Sequence, residues 1–226
     1  MAWPEFMQQD EAANQYWNAL YQDFPQLQVA ITDVEKDKVV AAVNSVPLCW
    51  NDSTALLPET GWDWALEKAF QDLKHNNYPN LLCALAVSIA LDYRGKGISS
   101  LAIQTMRTLA EDQGMQGLIV PVRPSLKSQY PLTSMEKYIR WQNNNALPFD
   151  PWIRVHVRLH GRIQNVCSQS MRITGNIAQW EDWTGMCFPE SGEYIIPNAL
   201  VPLIINKGID QGVYVEPNVW VVHTVP

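Results

Sequence analysis

Residues 87–99 read VSIALDYRGKGIS. Their first part closes a nearly continuous apolar run, Leu81–Leu91, of the kind that a central strand covered on both faces requires. A polar turn with two glycines follows at once, Asp92-Tyr93-Arg94-Gly95-Lys96-Gly97. Ile98, Leu101, Ala102, Thr105, Met106, Leu109 and Ala110 then recur at helical spacing, and Gly114 suits the C-terminal cap. A buried strand that runs through a glycine turn into a helix makes an anion site. The first N–H groups of a helix have no internal partner, and the helix dipole favours negative charge there. Glycines let the backbone approach phosphate oxygens, while Arg94 and Lys96 add charge. A pyrophosphate is the natural guest, and an ordinary solvated turn is the alternative.

The spacing excludes two better-known phosphate loops. It is not G-x-x-x-x-G-K-[ST], and it is not G-x-G-x-x-G, which disfavours a dinucleotide fold.

Upstream, Asp10 is placed to cap a helix that runs to about Phe24, where Pro25 ends it. Leu27, Val29 and Ile31 alternate with polar residues, Glu35–Lys38 forms a turn, and Val39–Val46 returns, which predicts a hairpin. Pro47–Pro58, with Trp50, Asn51 and Asp52, is irregular. A helix starts near Thr60, carries Trp62, Ala65, Leu66, Ala69, Phe70 and Leu73 on one face, and stops near His75-Asn76-Asn77. Downstream, Leu118–Val122 is a short buried strand. Thr133-Ser134-Met135-Glu136 matches a capping box and predicts a helix bearing Tyr138, Ile139 and Trp141. Ile153, Val155, Val157 and Leu159 alternate with Arg154, His156, Arg158 and His160 as a period-2 strand. Further strands are expected near residues 161–166, 170–174, 200–205 and 213–222, with a short helix near 178–184.

The chain has 226 residues, is 47% hydrophobic and carries a formal net charge of -7. That acidic balance argues against a nucleic-acid binder, which carries a basic face. The four cysteines, Cys49, Cys83, Cys167 and Cys187, form no C-x-x-C pair and no zinc-spaced cluster, so no metal is expected. Neither a signal peptide nor an apolar stretch of ~20 residues is visible. The expectation is a soluble, cytoplasmic protein with no membrane or nucleic-acid partner.

Arg94, Gly97 and Ser99 match the R/Q-x-x-G-x-G/A signature of the GNAT (N-acetyltransferase) superfamily, with Ser99 where Gly or Ala is usual. The order of elements from about Gln26 to Val222 also resembles a GNAT core. Two features depart from it: no strand precedes the N-terminal helix, and the region after Trp152 is longer than a minimal core. The resemblance implies an α+β (mixed α/β) GNAT-like fold, with a central twisted mixed sheet flanked by helices. It would form a single domain over 1–226, with a core of about 26–160 and an elaborated C-terminal β part of about 152–226.

The resemblance also implies roles. The signature strand would splay from its parallel neighbour. The Val87 N–H would meet the thioester carbonyl as an oxyanion donor, and Ile89 would pair with a pantetheine amide. The N–H groups of Gly95, Lys96, Gly97, Ile98 and Ser99, with Arg94, would hold the pyrophosphate. Tyr138 stands where many relatives carry a tyrosine that protonates the departing thiolate, or else it packs at a helix–sheet seam; Tyr130 is a weaker candidate. His156, between Arg154 and Arg158, is a weak candidate base, or part of a solvated strand face.

The function so implied is transfer of an acetyl or other acyl group from CoA to an amine of a small molecule or peptide, by direct attack in a ternary complex. A CoA-binding sensor or degenerate non-catalytic module is the alternative, and an interaction domain that binds no nucleotide is a third reading. The tryptophan-bearing segments 50–64 and 180–183 line an acceptor pocket or pack the core. A displaced first strand would leave a sheet edge for a homodimer.

Overall fold

The alternating and apolar segments assemble into one continuous mixed sheet in a computed structural model that describes residues 3–51 and 56–225. Asp52, within the irregular stretch, lies outside these. β1 (Gln28–Asp33) and β2 (Lys38–Leu48) form the expected hairpin, and β3 (Leu81–Ile89) lies antiparallel to β2. β4 (Gly117–Val122) is parallel to β3. β8 (Gln211–Thr224) follows antiparallel to β4, and then come β7 (Leu203–Asn206) and β6 (Gly192–Tyr194). β5 (Arg162–Gly175) pairs with β8 along its other edge.

Two helices hold this sheet. α3 (Gly61–Lys74) rests on β2, β3, β5 and β8, and α4 (Ile98–Asp112) rests on β2, β3 and β4. The centre of the core is where the sequence is most apolar: Leu82, Cys83, Ala84, Leu118 and Ile119 are all buried. Leu81–Leu91 is nonetheless two residues too long as a strand, because β3 ends at Ile89 and Leu91 is exposed.

No strand precedes the N-terminal helical segment among the described residues. That segment is broken into α1 (Glu11–Tyr16), a 3-10 turn at Trp17–Ala19 and α2 (Leu20–Asp23). Asp10 caps it, its side chain accepting from Ala13 N at 2.8 Å. Ahead of it, Phe6 sinks into the core against Trp180 and Tyr214, with ring centroids 5.9 and 5.1 Å away. Behind it, Trp17 stacks on Trp62 at 6.0 Å and Tyr16 on Phe70 at 4.7 Å.

Three expectations change downstream. The supposed strand at 153–159 is α6 (Pro151–Arg158), started by Asp150, whose carboxylate accepts from Trp152 N and Ile153 N. An Asp-Pro cap and first-turn pair overrides the alternating β-branched residues. The helix at Ser134 is the four-residue α5 (Met135–Tyr138), in which Ser134 makes no side-chain cap. The chain leaves it to join an aromatic cluster of Tyr130, Tyr138, Trp141 and Phe149. The two strands expected at 161–166 and 170–174 are one, β5, with a register shift between Cys167 and Met171. α7 (Ile177–Thr184) lies where a short helix was expected, with a capping box of Asn176 and Gln179.

Candidate active site

The cleft begins with a failure of pairing. β3 and β4 are in register only from Leu81 to Cys83 against Gly117 to Ile119. Beyond that point β3 follows β2 as far as Ile89, while β4 stays with β8 as far as Val122. The register of β2 on β3 passes from Ser45↔Ala84 to Asn44↔Ala86, which leaves Leu85 as an extra residue. Such a bulge bends the strand that carries it. The Leu85 carbonyl, deprived of a strand partner, accepts from Trp62 Nε1 at 2.9 Å. Between the splayed strands lies a cleft of ≈ 430 Å³, with residues 84–89 on one wall and 120–123 on the other.

One edge of β3 faces this opening. Ala90 N donates to Val40 O at 2.9 Å, across to β2. Backbone groups alternate along a strand, so Ser88 also addresses β2, and Val87 and Ile89 turn their N–H groups toward the opening.

At the mouth, Tyr93 N and Arg94 N close a 3-10 turn onto Ala90 O and Leu91 O at 2.9 and 3.2 Å. Gly95 and Gly97 follow with φ of 74° and 81°, the left-handed region that glycine enters without strain. Gly97 is the N-cap of α4 and has no side chain with which to cap it. The N–H groups of Gly95, Lys96, Gly97, Ile98 and Ser99 consequently have no acceptor among the described residues. Three ammonium groups stand near the Tyr93 ring, Lys36, Lys38 and Lys96, at 5.2, 5.8 and 5.0 Å from its centroid. Lys36 and Lys38 pair with Asp33 and Asp92 at 3.4 and 3.9 Å, so the mouth offers unsatisfied N–H donors with Arg94 and Lys96 beside them.

Deeper in, the end of β4 presents Arg123. Its Nε donates to Glu216 Oε1 and its Nη2 to Asn198 O, both at 2.8 Å. Glu216 is fully buried and also accepts from Tyr214 OH at 2.8 Å and Asn218 Nδ2 at 3.3 Å. Asn218 Oδ1 in turn accepts from Ser170 Oγ at 2.7 Å, and Ser170 Oγ accepts from Trp62 N at 2.9 Å. A polar chain thus runs from the start of α3 to the cleft wall.

No family model matches the chain. It is 36% identical over 252 aligned positions to the arginine N-acetyltransferase avaD of Aspergillus versicolor, covering 99% of this chain and 85% of that protein. The chain belongs to the GNAT superfamily. The fold agrees. The loading GNATL domain of CurA from Lyngbya majuscula superposes with a TM-score of 0.59 at 17% identity, over 92% of this chain and 82% of that one. A GphF GNAT-like decarboxylase in complex with isobutyryl-CoA gives 0.52 at 14%, over 91% and 82%. This GNAT enzyme is an acyl-CoA-dependent N-acyltransferase.

The two side chains expected to do acid–base chemistry in this GNAT chain stand away from the cleft. Tyr138 is buried in the aromatic cluster, and its hydroxyl donates to Asp150 Oδ2 at 2.8 Å. Burial first, and the Asp150 carboxylate second, push the phenol well above its ordinary range. Asp150 is itself occupied by Leu126 N and the first N–H groups of α6. Tyr138 therefore packs within the aromatic cluster and does not line the cleft, and Tyr130 packs edge-on against Trp141 beside it.

His156 is likewise corrected. It lies on α6, is fully buried, and its Nδ1 meets His223 Nε2 at 2.9 Å. Burial and the neighbouring imidazole lower it to about 3, so it is neutral but sealed from any acceptor. Arg154, expected beside it on a strand face, instead donates to the Pro148 and Phe149 carbonyls.

Trp62 does reach the cleft, whereas Trp50 packs on Trp64 and Trp180 on Trp183. Arg123, Ser125, Trp152 and Asn218 line the cleft without having been singled out in the sequence. For Arg123 a signal existed: a charged residue directly after the second of two parallel strands, where ligands of α/β sheets collect. Among the described residues no His, Asp or Glu lines the cleft, and no cluster of three His, Cys, Asp or Glu is placed to hold a metal. No helix among them is long and apolar enough to cross a membrane.

Proposed function

We propose that this enzyme acetylates a primary amine of a small molecule with acetyl-CoA, by direct attack in a ternary complex. The observation that carries the reading is the row of unsatisfied N–H groups, Gly95 to Ser99, at the mouth of a cleft opened by the splay of β3 from β4. The pyrophosphate of CoA sits on those N–H groups, with Arg94 and Lys96 supplying charge. The pantetheine arm extends along the free edge of β3, where Ile89 N–H pairs with one of its amides. The Val87 N–H then meets the thioester oxygen.

The amine nitrogen bonds to the thioester carbon, and the carbonyl oxygen becomes an oxyanion held by Val87 N–H. The C–S bond breaks, CoA leaves as its thiolate, and the proton lost by the amine passes to solvent. Another solvent proton converts the thiolate to the thiol. With no His, Asp or Glu lining the cleft among the described residues, the amine enters in its neutral form. Arginine is the first acceptor to try, because a relative of 36% identity is named for it.

Calorimetric titration with acetyl-CoA, desulpho-CoA and ATP tests the cofactor. Micromolar binding of both CoA species but not ATP is expected, and release of free thiol on adding arginine or another amine then demonstrates transfer. No binding by either CoA species overturns the reading. Binding without turnover across an amine panel points to a sensor instead.

A further inference from the structure

Arg123 has a geometry that its pairing with Glu216 does not use up. A guanidinium offers five N–H donors in a plane. Nε and one N–H of Nη2 are held by Glu216 and the Asn198 carbonyl. The two on Nη1 and the second on Nη2 have no acceptor among the described residues, and Arg123 lines the cleft. Two anchors fix the plane of the group, so its open nitrogen is presented to a ligand at little entropic cost.

The pair with Glu216 is formally neutral, but only its positive end faces the cleft. Glu216 is sealed from solvent, and two neutral donors, Tyr214 OH and Asn218 Nδ2, share its oxygens with Arg123. No ligand can reach that carboxylate, and no other acid lines the cleft among the described residues. What this wall shows to a ligand at Arg123 is therefore the positive end of a fixed pair, with free donors. Among the described residues the one other charged residue on the cleft, Arg94, stands at the nucleotide mouth. The complement of such a group is a carboxylate, which makes the shortest and strongest hydrogen bonds to a guanidinium.

Given the acetyl-transfer reading above, we infer that Arg123 selects the acceptor by binding a carboxylate that the acceptor carries. The substrates are then amino acids with a free carboxyl group rather than simple amines. Arg123 is a specificity residue in this scheme and takes no part in proton transfer.

The comparison that tests it uses the wild-type enzyme saturated with desulpho-CoA, titrated with arginine, lysine and glycine and with their carboxamides. Each acid should bind at least about tenfold more tightly than its amide, as the loss of a charged hydrogen bond requires. The amide's amine deprotonates more easily, so a preference for the acid cannot arise from amine reactivity. In Arg123→Gln the preference should vanish while acetyl-CoA affinity changes by less than about threefold, a split that a purely structural arginine would not produce. Because that variant strands a buried carboxylate, Arg123→Gln/Glu216→Gln serves as the folded control. Equal binding of acids and amides, a preference that survives in the double variant, or no binding of any amino acid overturns the inference. In the last case turnover of simple amines would leave the acetyl-transfer reading standing, whereas failure to bind CoA would remove that reading first.

Discussion

Gly97 caps α4 with φ at 81°, and a Cβ placed there would meet no atom within 4 Å. The cost of Gly97→Ala is thus conformational, about 1–2 kcal/mol if the left-handed geometry is kept. A loop at the surface relaxes instead, and the N–H groups that it presents swing out of line. Acetyl-CoA affinity should fall about tenfold, read by calorimetry, with the melting temperature almost unchanged. Tyr138 makes the opposite case. Its hydroxyl serves Asp150 inside an aromatic cluster, so Tyr138→Phe should cost about 1 kcal/mol of stability in urea melts and leave kcat within about twofold. A fall in kcat of a hundredfold would restore the phenol to the chemistry.

Strand β3 has one edge bonded to β2 and the other open to the cleft along residues 84–89. Proline at Val87 removes an N–H from the open edge only, and no ladder bond with it. Val87→Pro should therefore lower kcat by about 10²-fold, the usual effect of losing one oxyanion donor, with a far smaller change in acetyl-CoA affinity. Where α3 starts, a second feature belongs to the element rather than to the chemistry. Asp63 lies near the capping Asp10, and burial together with the Asp10 charge pushes Asp63 up to about 9. The folded protein then holds a proton that the unfolded chain releases above about pH 4. The stability from Asp63 is complete below that point and is lost as pH rises toward 9. Asp63→Asn, a neutral isostere, should gain about 1–3 kcal/mol at pH 8.5 and little at pH 4, measured by urea unfolding at both. Elements of this kind were unequally legible in the sequence. β3, its glycine turn and α4 were read within two residues, because an apolar run, two glycines and a helical stripe all point the same way. At α6 the pattern misleads, because Ile153, Val155 and Val157 alternate as a strand does, while the Asp150-Pro151 start signal sits just outside the pattern. The bulge at Leu85 and the buried arginine–glutamate pair join residues far apart in the chain, and no local spacing announces such contacts.

Across the whole molecule the sheet has a seam. β1, β2 and β3 form one part and β4 to β8 the other, and the parallel ladder joining them has only the three pairs that begin at Leu81↔Gly117. Beyond those pairs the two parts are held by α3, which packs on β2 and β3 on one side of the seam and on β5 and β8 on the other, and by α4, which packs on β2 and β3 and on β4. Trp62 adds a bond to the Leu85 carbonyl, and the N-terminal segment brings Trp3 to within 6.4 Å of the Trp62 ring. On the proposed function, an acyl-CoA in the cleft would fill the gap where strand pairing is missing and would bind the folded protein alone. The stability gained is then set by mass action, about 2.7 kcal/mol at a concentration one hundred times Kd. For a chain of 226 residues each kcal/mol raises the melting temperature by about 2–4 °C, so saturating acetyl-CoA should raise it by about 5–11 °C. Desulpho-CoA should do nearly as well, because it keeps the pyrophosphate and the pantetheine amides. ATP should give almost nothing, as it lacks the arm that lies along β3. Equal shifts with ATP and acetyl-CoA, read by scanning fluorimetry, would confine recognition to the cationic mouth and take the seam out of the binding site.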